Sequence, residues 1–184
     1  MFAQTAANQL TFLRIMLIPA LVLLVLYGHP GWALVVLIVA GITDALDGLI
    51  ARRAGQKTRL GAWLDPMADK LLLVSTFVVL TVPGLGLTNR LPIWLTVLVI
   101  SRDVVIVLTA AIINLAVGRR TFRPSVLGKA ATAIYVLTAA VVLLYNHLGR
   151  PSIVIDACIY LSLAITLLSG VHYVVRTTRL VSES

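Results

Sequence analysis

Four aspartates, Asp44, Asp47, Asp65 and Asp69, stand together in an otherwise strongly apolar chain. Carboxylates in a low-dielectric setting repel one another, and each loses its hydration. They become tenable by protonation, by pairing with arginine or lysine, or by binding metal. Arg52 and Lys70 are the basic residues nearest in sequence, too few to neutralise four acids. Divalent cations have the charge to do it. An all-oxygen ligand set without histidine or cysteine favours a hard ion, Mg²⁺ or Mn²⁺. Two such ions clamped on phosphoryl oxygens promote displacement at phosphorus.

The spacing places these acids on helices. Asp44 and Asp47 are three apart, and Gly48, Ala51 and Arg52 continue the same face. Gly61, Asp65 and Asp69 recur every fourth residue and form a second stripe. The connection between the two segments is short, so they are expected to be antiparallel neighbours whose carboxylates converge. Gly48, Ala51 and Gly61 leave room for a bulky ligand beside the acids. Small residues also pack helices together in membranes, and clustered acids also mark ion pathways.

The elements that carry the stripes are membrane spans. The 184 residues are 60% apolar, and mean hydropathy is +1.02. Six apolar runs predict six transmembrane helices, over residues 10–27, 32–53, 60–82, 92–117, 125–148 and 153–176. Breakers such as "GHPG", "PGLGLTNRLP" and "GRPS" separate them. The opening "MFAQTAANQ" reads as a short interfacial helix. Arg14 precedes the apolar stretch from Ile15 to Tyr27, which is followed by no cleavage site, so the segment reads as an uncleaved first span. A single all-α integral membrane domain over residues 1–184 is expected.

The net charge of +8 is concentrated at segment ends. Arg52, Arg53, Lys57, Arg59, Arg119, Arg120, Arg123, Arg176 and Arg179 fall on one side, and Arg90 and Arg150 on the other. The heavy side is expected to be cytoplasmic, with both termini and the acid cluster there, in a cell inner membrane. This is a membrane pattern, and nucleic acid is not an expected partner. Cys158, alone of its kind, excludes an internal disulfide. His29, His147 and His172 lack metal-ligand spacing, and Trp32, Trp63 and Trp94 read as interface anchors.

The stretch Asp44-x2-Asp47-Gly48-x2-Ala51-Arg52-x8-Gly61-x3-Asp65-x3-Asp69 matches the signature of the CDP-alcohol phosphotransferase family. "NQLTFLR" resembles that family's Asn-x-Leu-Thr-x-x-Arg at the start of span one. Nearly the whole chain takes part in the resemblance. It implies a transferase that moves a phosphatidyl group from CDP-diacylglycerol to an alcohol and releases CMP. It implies that Asp44, Asp47 and Asp65 hold two Mg²⁺ or Mn²⁺ ions. Asp69 would also lie at the metals and act as general base. Asp44, Gly48, Ala51, Arg52 and Gly61 would bind the CDP moiety. A homodimer among membrane lipids is also implied.

The acceptor is read from the basic residues Arg119, Arg123, Lys129 and Arg176, which suit a phosphate. The segment "LDPMADK" resembles the phosphatidylglycerophosphate synthases and implies glycerol 3-phosphate as acceptor. Two positions depart from that branch. Arg102-Asp103 stands where it has Arg-Glu, and Ala131 where it has a lysine. Both look more like the cardiolipin synthases of the superfamily, whose acceptor is phosphatidylglycerol. An inositol phosphate acceptor and a non-enzymatic membrane transporter are further alternatives.

Overall fold

Helix formation follows the apolar runs and stops where the chain supplies a glycine or proline. The computed structural model describes residues 6–54, 59–116 and 126–182, with side chains over 11–44, 66–109 and 126–173 and at 175. It holds six helices and no strand among these residues. They are α1 Ala6–Leu26, α2 Pro30–Ala54, α3 Arg59–Thr81, α4 Ile93–Ala116, α5 Val126–His147 and α6 Ile153–Ser182. Each coincides with one of the six expected segments to within a few residues, except at the outer ends of α1 and α6.

The separate N-terminal helix is corrected. Its described part, Ala6 to Gln9, runs straight into α1. "AANQL" contains no glycine or proline, so nothing interrupts the backbone hydrogen bonding there.

Two tight stops show how sequence sets the ends. Gly28 has φ +76°, its amide donates to the Val25 carbonyl, and the His29 amide donates to that of Leu24. Gly149 repeats the pattern with φ +64°, through Gly149 to Asn146 and Arg150 to Tyr145. This is the 6→1 and 5→2 closure that a left-handed residue after the helix permits. After α3, Asn146 clamps the loop that follows. Its amide nitrogen donates to the Asn89 carbonyl at 2.8 Å and its oxygen accepts from the Asn89 amide at 2.9 Å.

Val126–His147 and Ile153–Tyr173 are long and apolar enough to cross a membrane. Only 33% of each is buried, whereas the core helix of a soluble protein is mostly buried. Thr11–Leu26 and Pro30–Asp44 are shorter apolar stretches among the described residues. Large apolar side chains such as Val35, Ile38, Leu161 and Leu168 are exposed, as on surfaces that face lipid.

The backbone divides into two compact units. The first comprises Met1–Arg90 with Ala139–Pro151, and α1 packs closely on both α2 and α3. Leu21, Val25, Ala33, Leu37, Phe77 and Leu80 form part of its core. The second comprises Leu91–Thr138 with Ser152–Ser184, where α4 packs on α6. Its interior is laced with hydroxyl groups. Tyr135 and Thr166 share a hydrogen bond of 2.6 Å, and Thr138 and Ser162 one of 2.8 Å.

Candidate active site

The first unit brings two of the four aspartates to one point. Asp44 comes from the C-terminal half of α2, and Asp69 from α3. Both meet Arg14, which α1 supplies from a fully buried position. Arg14 Nη1 lies 3.0 Å from Asp44 Oδ1 and also donates to Asp69 Oδ1. The helical phase explains the meeting. Thr11 and Arg14 are both fully buried and three residues apart, so one face of α1 points inward at this level. Beside Asp44, the Thr43 hydroxyl donates back to the Ala40 carbonyl at 2.8 Å and so satisfies itself within α2.

Two carboxylate oxygens within reach of one nitrogen lie within roughly 6 Å of each other. A Mg²⁺ ion, whose bonds to oxygen are about 2.1 Å, spans two oxygens at most about 4.2 Å apart, so sharing one ion requires the pair to stand within that distance. The acids also keep open faces, since the side chains of Asp44 and Asp69 are 49% and 39% exposed while Arg14 is 0% exposed. Arginine thus lies beneath them and a ligand can approach from the other side. The donor set and its accessibility fit a divalent ion. Among the described residues no third histidine, cysteine or acidic side chain joins the pair.

The backbone of α2 carries Asp47, Gly48, Ala51 and Arg52, and that of α3 carries Gly61 and Asp65. Their side chains lie outside the described residues. Pro66 sits inside α3, directly after Asp65. Its missing amide leaves the carbonyl four residues earlier, that of Ala62, without its helical donor. A backbone acceptor is thereby freed within the segment that carries the acids.

Of the residues read as acceptor-binding, Lys129 is exposed on α5 and Arg176 lies on α6. Arg119 and Arg123 lie outside the described residues. Arg102 and Asp103 pair within the second unit, Nη1 to Oδ1 at 2.7 Å. Arg102 Nε also donates to Ser169 Oγ at 3.1 Å. This charged pair is therefore held by its own helix neighbour and by α6.

Sequence reasoning missed Arg14 as the partner of the acids and named Arg52 and Lys70 instead. The available signal was an arginine embedded in an apolar helix, which marks function or pairing by default. A second feature of the first unit is a cavity of about 580 Å³ lined by His29, Gly31, Trp32 and His147 among others. It lies some 20 Å along α2 from Asp44, at about 1.5 Å per residue. There, a side chain on Gly31 would come within 2.5 Å of His147 Nδ1, so glycine admits the imidazole.

Comparison with known proteins identifies the family. The family model described as CDP-alcohol phosphatidyltransferase matches residues 4–171. A Mycobacterium tuberculosis protein named "Probable phosphatidylglycerophosphate synthase" is 36% identical over 181 residues, covering 94% of this chain and 81% of the relative. A Streptomyces coelicolor protein named "Cardiolipin synthase (CMP-forming)" is 38% identical over 137 residues, covering 70% of this chain and 60% of the relative. A Rattus norvegicus protein of the same name is 44% identical over 104 residues, 56% of this chain and 33% of the relative. The aspartate signature, the all-helical fold, the apolar helices and these matches lead to one conclusion: this membrane protein belongs to the CDP-alcohol phosphatidyltransferase family and is an enzyme of phospholipid synthesis.

Proposed function

We propose that the chain transfers a phosphatidyl group from CDP-diacylglycerol to sn-glycerol 3-phosphate, giving phosphatidylglycerol phosphate and CMP. The observation that carries the reading is the junction of Asp44 and Asp69 on a single buried arginine nitrogen. The whole of residues 1–184 forms one phosphotransferase domain with six transmembrane helices. It lies in the inner membrane as a homodimer, with both termini and the acid cluster on the cytoplasmic side. The excess of arginine and lysine in the loops on that side supports the orientation. A cytoplasmic site meets a soluble acceptor and a bilayer donor at once.

Asp44, Asp47, Asp65 and Asp69 hold two Mg²⁺ or Mn²⁺ ions. When bound, these ions neutralise the donor's diphosphate and stabilise charge on the departing CMP. Gly48, Ala51 and Gly61 leave space along α2 and α3 for the cytidine and diphosphate, and Arg52 pairs with phosphate. Asp69 takes the proton from the acceptor hydroxyl. The hydroxyl oxygen then bonds to the phosphorus that carries the diacylglycerol, and the bond from that phosphorus to CMP breaks with its electron pair. Lys129, Arg119, Arg123 and Arg176 hold the acceptor's phosphate.

The relative matched over most of the chain, named for phosphatidylglycerophosphate synthesis, supports glycerol 3-phosphate. A second reading takes phosphatidylglycerol as acceptor and cardiolipin as product. It is favoured by the Arg102–Asp103 pair and by Ala131, which is fully buried. A lysine at that buried position would need its own counter-charge.

The deciding experiment offers purified protein CDP-diacylglycerol and Mg²⁺ with glycerol 3-phosphate, phosphatidylglycerol or inositol phosphate separately. CMP release and the lipid product are followed. The expected result is CMP release with glycerol 3-phosphate at least about tenfold faster than with the others, a gap of roughly 1.4 kcal/mol in barrier. Activity with phosphatidylglycerol alone would replace the leading acceptor. A protein that releases no CMP with any acceptor would not be a transferase of this kind.

A further inference from the structure

We propose that Arg14 is the resident counter-ion of the carboxylate site, and that its charge makes divalent-ion occupancy depend on a diphosphate arriving with the metal. The inference rests on the metal reading above and concerns a residue outside the aspartate signature. Arg14 is fully buried, and Nη1 faces both Asp44 and Asp69. Its Nε and Nη2 are buried and have no hydrogen-bond partner among the described residues. An arginine that only tied helices together would use several of its donors. Among the described residues only Nη1 makes polar contacts, and both go to acids of the site. The role is electrostatic.

Charge counting gives the consequence. With all four acids at the site, as proposed above, four carboxylates against one guanidinium leave the metal-free site at about −3. Two divalent ions alone would bring it to about +1, with the fixed guanidinium a few ångströms from the nearer ion, which is repulsive. The diphosphate diester of a CDP-alcohol carries about two negative charges and brings the total to about −1. Metal and nucleotide therefore assist each other. Without Arg14 the total with two ions falls by one positive charge, and the metals depend less on the nucleotide. By linkage the same coupling tightens nucleotide binding when metal is present.

The test uses full-length protein as wild type, Arg14→Gln and Arg14→Lys. Mn²⁺ binding is read from the electron paramagnetic resonance of the free ion, with and without CDP. In the wild type, CDP is expected to tighten Mn²⁺ binding by about tenfold or more. In Arg14→Gln, binding without CDP tightens by about tenfold, and the CDP effect shrinks to about threefold or less. Arg14→Lys, which keeps the charge, retains the wild-type pattern. Mn²⁺ binding in Arg14→Gln that is unchanged or weaker without CDP would overturn the inference.

A melting experiment in EDTA removes metal from the question. Arg14→Gln is expected to lower Tm by roughly 6 °C or more in the wild-type background. The loss should fall to less than half in Asp44→Asn/Asp69→Asn, where the guanidinium has lost its partners. Equal losses in both backgrounds would make Arg14 a packing residue and overturn the counter-ion role. If Arg14→Gln alone does not fold, the triple variant carries the test, because it should fold at least as well as the double. Mn²⁺ binding untouched by Asp44→Asn would overturn the metal reading itself, whereas the EDTA melts read the Arg14 pairing without it.

Discussion

Asp69→Asn is expected to lower turnover by about 10²- to 10⁴-fold, the range that removal of a positioned general base produces. CDP binding should weaken much less, because asparagine keeps an oxygen at the same position and the other three acids remain. Asp69 is accessible, as the proposed role requires. It stands beside Asp44 on the Arg14 nitrogen, yet 39% of its side chain is exposed and open to an acceptor. CMP release and calorimetric CDP binding, measured on the same preparation, check the split. Binding lost while residual turnover stays normal would remove Asp69 from the base position and make it a donor ligand.

Chelation should have an effect at least as large. In EDTA, CMP release is expected to fall by about 10³-fold or more, since metal stabilisation of phosphoryl transfer amounts to several kcal/mol. Mg²⁺ or Mn²⁺ should restore it. Ca²⁺ should bind without restoring turnover, because it prefers longer bonds of about 2.3–2.6 Å and more ligands. The carboxylates and the donor phosphates would then sit too far apart for the same geometry. Turnover that survives chelation, followed by the same assay, would show that the acids are held by cations of the chain alone.

The parts legible in the sequence are those whose physics is local. Six apolar runs bounded by glycine and proline became six helices, and Gly28 and Gly149 stop α1 and α5 through the left-handed backbone they adopt. The three- and four-residue spacing of the acids placed them on two helix faces, and Asp44 and Asp69 do meet. What stayed hidden is non-local. Arg14 and Asp69 are 55 positions apart, and only the packing of α1 on both α2 and α3 joins them. In the sequence the arginine reads as a flanking charge. The N-terminal segment reads as a separate interfacial helix, although nothing in Ala6 to Gln9 ends a helix.

Arg102 and Asp103 were adjacent in sequence, so periodicity alone could not tell whether they pair. The 2.7 Å contact and the bond to Ser169 decide that they do. Ser162, Thr166 and Ser169 also recur at helical spacing on α6 and are all buried. That stripe was readable in retrospect as the polar face of an otherwise apolar helix. Hydroxyl groups that bond their own helix carbonyls, as Thr166 does to Ser162, cost little in an apolar setting.

The central claim is that ions of double charge gather the aspartates around a nucleotide's phosphates. Crystals grown with CDP and Mn²⁺ test it most directly, through anomalous scattering at the manganese edge. The account predicts anomalous peaks within about 2.3 Å of oxygens of Asp44 and Asp69, with the diphosphate on their far side. Clear nucleotide density with these carboxylates turned apart and no anomalous peak between them would contradict it.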